Sequence, residues 1–349
     1  MRTLSDLTRG ELDPLRAALR GDGVYDRAAL VMPAWEEART NVPAPVRSHL
    51  SRQWVHAADT DALHAAAVFF AALHTGHGGG YARLALTAHL AYDVSRALSL
   101  PAAGTVYRQM LTAAARLAIL AGNMCADDGR PPLAQRYHHT AARLAAAAGD
   151  ADTYAIALRT LADHADQLGH YTQAGALAER AAATARHHAP LTTCAYTLAQ
   201  LAVTHARAHN RSQAMAALQQ AERHHARADH QSGPFTAYPE SALHYQRGRA
   251  LTALNDLTGA AEAYRLSLRT RPLTASRSHV LTRARLAETL LRRGHLEAAL
   301  EHWHIFLNDK PAVHSTRSDQ LLTTMHQLLR PYRNHPATAR LLDQAASRS

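Results

Sequence analysis

The chain has 349 residues, 47% hydrophobic but only 5% aromatic, so a sizeable core has to be built mainly from Ala and Leu. Two Cys exclude a disulfide scaffold and a Cys-based zinc module. The net charge of +10 is uneven: residues 1–58 carry 8 basic and 7 acidic side chains, residues 59–237 carry 14 and 12, and residues 238–349 carry 16 and 9. Lys310 is the single Lys, and such Arg-, Ala- and His-rich usage is what codon drift in a GC-rich genome produces. The same excess in the last third would also suit an acidic partner.

In chain order, Met1 to Arg20 mixes Arg, Asp and Glu and has no apolar targeting core. No run reaches about 18 apolar residues, so a soluble, cytoplasmic chain without a membrane span is expected. Residues 1–50 are read as an N-terminal helical cap. Residues 51–104 are read as a helical pair, with helices over 51–73 and 81–98. Between them lies His74-Thr75-Gly76-His77-Gly78-Gly79-Gly80. No strand precedes this run and Gly-Lys-Ser/Thr is missing, so it reads as a flexible helix–helix turn rather than a phosphate cradle.

From 105 to 311 the chain repeats. Ala/Leu-rich segments of helical period are interrupted at Gly129, Gly169, His209, Asn255 and Gly294, in steps of 40, 40, 46 and 39 residues. A small residue precedes each break: Gly122, Ala162, Ala202, Gly248 and Ala287. An Ala follows each at a constant offset: Ala134, Ala174, Ala214, Ala260 and Ala299. The break residue suits a left-handed helix end, and the small residues suit close helix contact. With Gly248, Leu254, Asn255-Asp256, Ala260, Tyr264 and Pro272 in the fourth unit, and Ala287, Gly294, Ala299, Trp303 and Pro311 in the fifth, the pattern resembles the tetratricopeptide repeat (TPR). The resemblance implies an all-α, TPR-like helical-hairpin solenoid, a right-handed superhelix of about five repeats with longer helices than the family's. Segments 315–330 and 336–347 read as helices that cap the array within 312–349, where Asp319, Gln320, Gln327 and Gln344 make the surface polar.

A second set of residues runs through the first half: Trp54, His77 to Arg83, Ala91-Tyr92-Asp93-Val94, Leu120-Ala121-Gly122, Ala134-Gln135-Arg136-Tyr137, and Leu144 to Asp150. In this order they resemble the C-terminal TPR region of actinobacterial Xre-type helix-turn-helix transcriptional regulators, over roughly residues 50–270. Residues 1–50 instead contain Pro14, Pro33, Pro43 and Pro45, and no two-helix unit with a basic recognition helix. The resemblance therefore implies a sensor or interaction module, with a role in signalling or transcription regulation, without the DNA-binding head.

In a helical solenoid the first helix of each pair lines the concave face. The inward positions are Arg116, Asn123, Asp127, Arg159, Asp163, Asp166, Gln167, Tyr196, Arg207, Tyr245, Arg249, Glu288 and Arg292. Arg suits two-pronged binding of a carboxylate and Tyr suits stacking, so this face is the candidate groove for a peptide, a protein partner or a small polar signal. No cofactor or metal is expected. His205 and His209 share a helix face, but Arg207 stands between them and no carboxylate completes a zinc site. The doublets His138-His139, His187-His188 and His224-His225 splay by about 100°. Cys194 sits at a helix start, where a thiolate is favoured, yet reads as a buried structural thiol. No Gly-x-Ser-x-Gly elbow is present.

The leading expectation is a non-enzymatic regulatory or interaction protein whose superhelix opens and closes around its ligand. The runner-up is a nucleic-acid-associated regulator using the basic last third, where Arg265 and Arg269 share a helix face, as do Arg285 and Arg292. The third reading is an enzyme with an unfamiliar pocket in the groove or near 74–81. A homodimer is compatible with each.

Overall fold

The computed structural model describes residues 2–13, 24–40, 55–229 and 233–346. Within them the chain is helical throughout; the one β interaction is an isolated bridge between Val55 and Ala102. The expected helix start near Ser51, Trp54, and Pro14, Pro43 and Pro45 lie outside the described residues.

Helices α1 (Arg2–Leu12) and α2 (Trp35–Thr40) precede a pair, α3 (Ala57–His77) and α4 (Gly79–His89). A π turn over Leu90–Val94 carries α4 on to Ala97. Five hairpins follow: α5 (Gly104–Asp127) with α6 (Pro131–Ala148), α7 (Ala151–Gln167) with α8 (Tyr171–His188), α9 (Leu191–Arg207) with α10 (Arg211–Arg227), α11 (Glu240–Ala253) with α12 (Leu257–Arg269), and α13 (Ser276–Arg292) with α14 (Leu296–Asp309). Helices α15 (Thr316–Leu329) and α16 (Pro336–Ala346) pack on the last hairpin. This is the TPR-like hairpin array the periodicity predicts.

The breaks work as their chemistry requires. Gly129, Gly169, His209, Asn255 and Gly294 all have positive φ, between 58° and 82°. After each, the next N–H reaches back to the carbonyl five residues earlier: Arg130 to Cys125, His170 to Ala165, Asn210 to His205, Asp256 to Leu251 and His295 to Leu290, all at 2.8–3.0 Å. These bonds satisfy carbonyls that a helix end leaves open. Asn210 and Asp256 then cap the following helix through Gln213 N and Gly259 N. The Ala seams at 134, 174, 214, 260 and 299 are completely buried. At Gly122 and Gly248 the approach is closer still, for a Cβ would lie 2.5 Å from the His138 and Tyr264 rings.

The N-terminal residues are seated by side chains of the first hairpins. Glu11 of α1 meets Arg83 and Tyr137, and Asp26 exchanges two bonds with Gln135, at 2.9 and 2.6 Å. The Tyr154 hydroxyl donates to the Pro33 carbonyl at 2.8 Å. Arg83 and Tyr137 thus hold α1 through Glu11, and Gln135 holds the backbone at Asp26.

Two features differ from expectation. The 74–80 run is no flexible turn: α3 continues through His77 and the chain reverses at Gly78 alone (φ 88°). A Cβ at Gly78 would lie 2.5 Å from the His314 carbonyl oxygen, and one at Gly79 would lie 2.4 Å from that of Met124, so bare backbone is needed there. The cause is the second feature. The array does not stay an open ribbon, because its end returns to its beginning. Gly80 N donates to His314 O at 3.0 Å, and His314 N donates to His77 O at 2.7 Å. Asp127, at the end of α5, receives both arms of Arg277 (2.8 and 2.7 Å), Ser315 Oγ (2.8 Å) and Gly79 N (2.8 Å).

Candidate ligand groove

Spacing on the first helices puts the polar residues on one side of each. Arg159, Asp163 and Asp166 follow one another by four and three residues on α7, as Arg285, Glu288 and Arg292 do by three and four on α13. Tyr245 and Arg249 are four apart on α11. Successive first helices α5, α7, α9 and α11 touch one another, so these faces join into one inner wall. The wall is divided in two.

One half is covered by the chain itself. The segment between α10 and α11, residues 233–239, lies on α5, α7 and α9. Phe235 sits beneath the Arg116 guanidinium, 5.6 Å away. Tyr238 packs edge-on against Tyr196 at 5.2 Å, and Arg159 lies over the other ring contact, 4.0 Å from the Tyr196 centroid. A His225 ring nitrogen holds the Tyr238 carbonyl at 2.9 Å. A cavity of about 210 Å³ remains beside this segment and reaches Asn123. Sequence reasoning placed Arg116, Asn123, Arg159 and Tyr196 on this wall but missed their cover. The one available signal was the 46-residue step, six longer than the two before it.

The other half is an open cavity of about 410 Å³, reached by Asp166, Gln167, Arg207, Tyr245, Arg249, Glu288 and Arg292 of the expected set. At its back Arg249 grips two carboxylates, Asp163 Oδ1 at 2.5 Å and Asp166 Oδ2 at 2.7 Å. Arg207 reaches Asp166 from the rim at 3.3 Å. Gln167 donates to Asp163 at 2.8 Å. Burial alone would raise the Asp163 carboxyl, but Arg249 and Arg159 outweigh it and hold Asp163 well below the usual carboxylate range. Asp127 lies apart from both halves, inside the end-to-end closure, and is almost fully buried. There Arg277 likewise overrides burial and keeps the carboxyl ionised.

Among the cavity residues outside the expected set are Arg285, Arg317 and Gln320. Arg317 and Gln320 come from α15, expected only to cap the array. Burial lifts the Tyr245 phenol, yet Arg317, Arg285 and Arg249 together bring it below its ordinary value. Several arginines of the basic last third are committed to partners within the chain. Arg277 binds Asp127, Arg285 binds Glu288 at 2.8 Å, Arg292 binds Asn255 at 2.9 Å, and Arg271 binds Ser241 and Ser267. Arg269 is exposed, with Glu262 at 3.9 Å.

Cys194 is buried with its sulfur 3.3 Å from the Ala185 carbonyl, and burial pushes the thiol up despite the helix start. Among the described residues no three His, Cys, Asp or Glu side chains gather as metal ligands, and no helix is long and apolar enough to cross a membrane.

No protein-family model matches the chain, and no curated protein does. Among solved structures it is similar to a chain in the crystal structure of the APC/C hetero-tetramer Cut9–Hcn1, with 17% identity and a TM-score of 0.43 over 76% of this chain. The chain spans about half of that neighbour, 47% of its length.

Proposed function

We propose that the protein is a non-enzymatic interaction protein of regulatory type, which receives a peptide, a partner segment or a small polar ligand in the open half of its groove. One observation carries this reading: the covered half already holds a non-helical segment of the chain, a turn over 234–236 followed by residues 237–239. Residues 233–239 are retained there by an Arg over an aromatic ring, a Tyr edge and a bond to backbone carbonyl oxygen. The open half offers the same chemistry, with Tyr171 under Arg207 at 5.3 Å, the Tyr245 ring, and arginines at the rim. A concave, partly apolar wall with converging polar groups is the ordinary form of a ligand site.

The test is photocrosslinking in cells that make the chain, read by intact mass. A photoreactive amino acid in place of Tyr171, half-exposed in the groove, should yield adducts. The same group in place of Tyr92, exposed and outside the groove, should not. Adducts at Tyr92 with none at Tyr171 would remove the groove from the account.

A further inference from the structure

The cavity has an unbalanced charge. Five arginines line it against two carboxylates, Asp166 and Glu288. Most of the guanidinium groups are occupied: Arg249 by Asp163 and Asp166, Arg207 by Asp166, Arg285 by Glu288, Arg292 by Asn255. Arg317 is the exception. It stands in the first turn of α15, partly buried, and has no hydrogen bond or ion pair among the described residues. It lines both the main cavity and a side pocket of about 150 Å³, which Tyr245, Leu281, Arg285, Gln320, Leu321 and Thr324 complete. That volume holds roughly five waters at about 30 Å³ each. Burial pulls the Arg317 guanidinium below its ordinary value and Arg277 adds to this, outweighing Tyr245, Asp163 and Asp127; both of those carboxylates are committed to other arginines.

An inward cation without a partner is costly to hold, and the cost disappears when an anion fills the space beside it. Here the space exists and is lined by donors. Arg317 has five N–H groups free, Arg285 has those that Glu288 does not use, and the Tyr245 hydroxyl has no partner among the described residues. We infer that the side pocket bounded by Arg317, Arg285 and Tyr245 is a binding site for a phosphate-type oxyanion, either free phosphate or the phosphoryl group of a small molecule lying in the main cavity. A dianion offsets more of the surplus charge than a carboxylate does, and its oxygens accept bonds in several directions, as donors on three helices demand. The site rests on the reading of this groove as a ligand cavity, and it names the chemistry at the cavity's deep end.

Isothermal titration of the full chain with inorganic phosphate at low ionic strength tests it, with glycerol phosphate and succinate in parallel arms. The expected result is one phosphate per chain, binding at least tenfold tighter than succinate. Arg317→Gln should weaken phosphate at least tenfold, and Arg330→Gln, at an exposed arginine outside both cavities, should leave it unchanged. Should Arg317→Gln unfold, Gln320→Glu serves, because Gln320 is exposed and the added charge faces the pocket. It should weaken phosphate by a similar factor. Tighter binding of glycerol phosphate assigns a small organic phosphate; equal or weaker binding assigns the free ion. No phosphate binding, succinate binding equally well, or equal losses in Arg317→Gln and Arg330→Gln would each overturn the assignment. Crosslinking at Tyr171 does not depend on phosphate, so failure here with adducts there would retire the oxyanion site and keep the groove.

Discussion

At the scale of single residues, the back of the groove is a network of largely buried charges. Arg249 bridges two carboxylates of α7, one of which Arg159 of the same helix also faces, and removing one partner of such a buried pair typically costs about 3–5 kcal/mol. Next to this network His164 is buried, with Tyr25 and His138 rings 5.5 and 6.0 Å away and its Nδ1 unpartnered. Burial brings its pKa down to about 4, against the pull of Asp163. In the unfolded chain the value returns to roughly 6.5. The folded state therefore disfavours the proton. Its contribution is complete above about pH 6.5 and is lost as the pH falls toward 4, at about 1.4 kcal/mol per unit. Urea midpoints at pH 7, 6 and 5 should fall in sequence, and His164→Phe should flatten the slope. A slope identical in the two proteins would mean that His164 is hydrated in the folded state.

At the scale of elements, the hairpins are locally determined and their ends are specific. Gly78 is the sharpest case, since it turns α3 into α4 at positive φ while touching the His314 backbone. Gly78→Ala adds both a strained φ, about 1–3 kcal/mol, and a clash with a carbonyl that cannot move without breaking the closure. A loss of at least about 2 kcal/mol in chemical denaturation is expected, and a change below about 0.5 kcal/mol would show that the turn and residue 314 do not meet. The contrast between turns and closure explains what was readable in advance. Gly129, Gly169, Asn255 and Gly294 announced themselves because a left-handed position favours few residues, and His209 was found only by its period. Inward faces followed from three- and four-residue spacing. The cover by Phe235 and Tyr238 shows only as the 46-residue step, and the arrival of Arg317 in the cavity leaves no local signature. They arise from contacts between residues far apart in sequence, where propensity and period carry no information.

At the scale of the whole molecule, part of the positive charge of the last third faces the first hairpins. Arginines of the last third meet carboxylates of the first two hairpins, and the two ends of the array touch at residues 77–80 and 314. Asp127 and Arg277, 150 residues apart, are the joint. In the proposed function, opening or closing around a ligand passes through that pair. A double-mutant cycle with Asp127→Asn and Arg277→Gln, followed by urea denaturation, measures the joint directly. Contact between the two ends predicts that the two changes together cost less than the sum of the singles, with a coupling of about 1–3 kcal/mol. Strictly additive losses would contradict it, since they would mean that the two ends of the array do not meet.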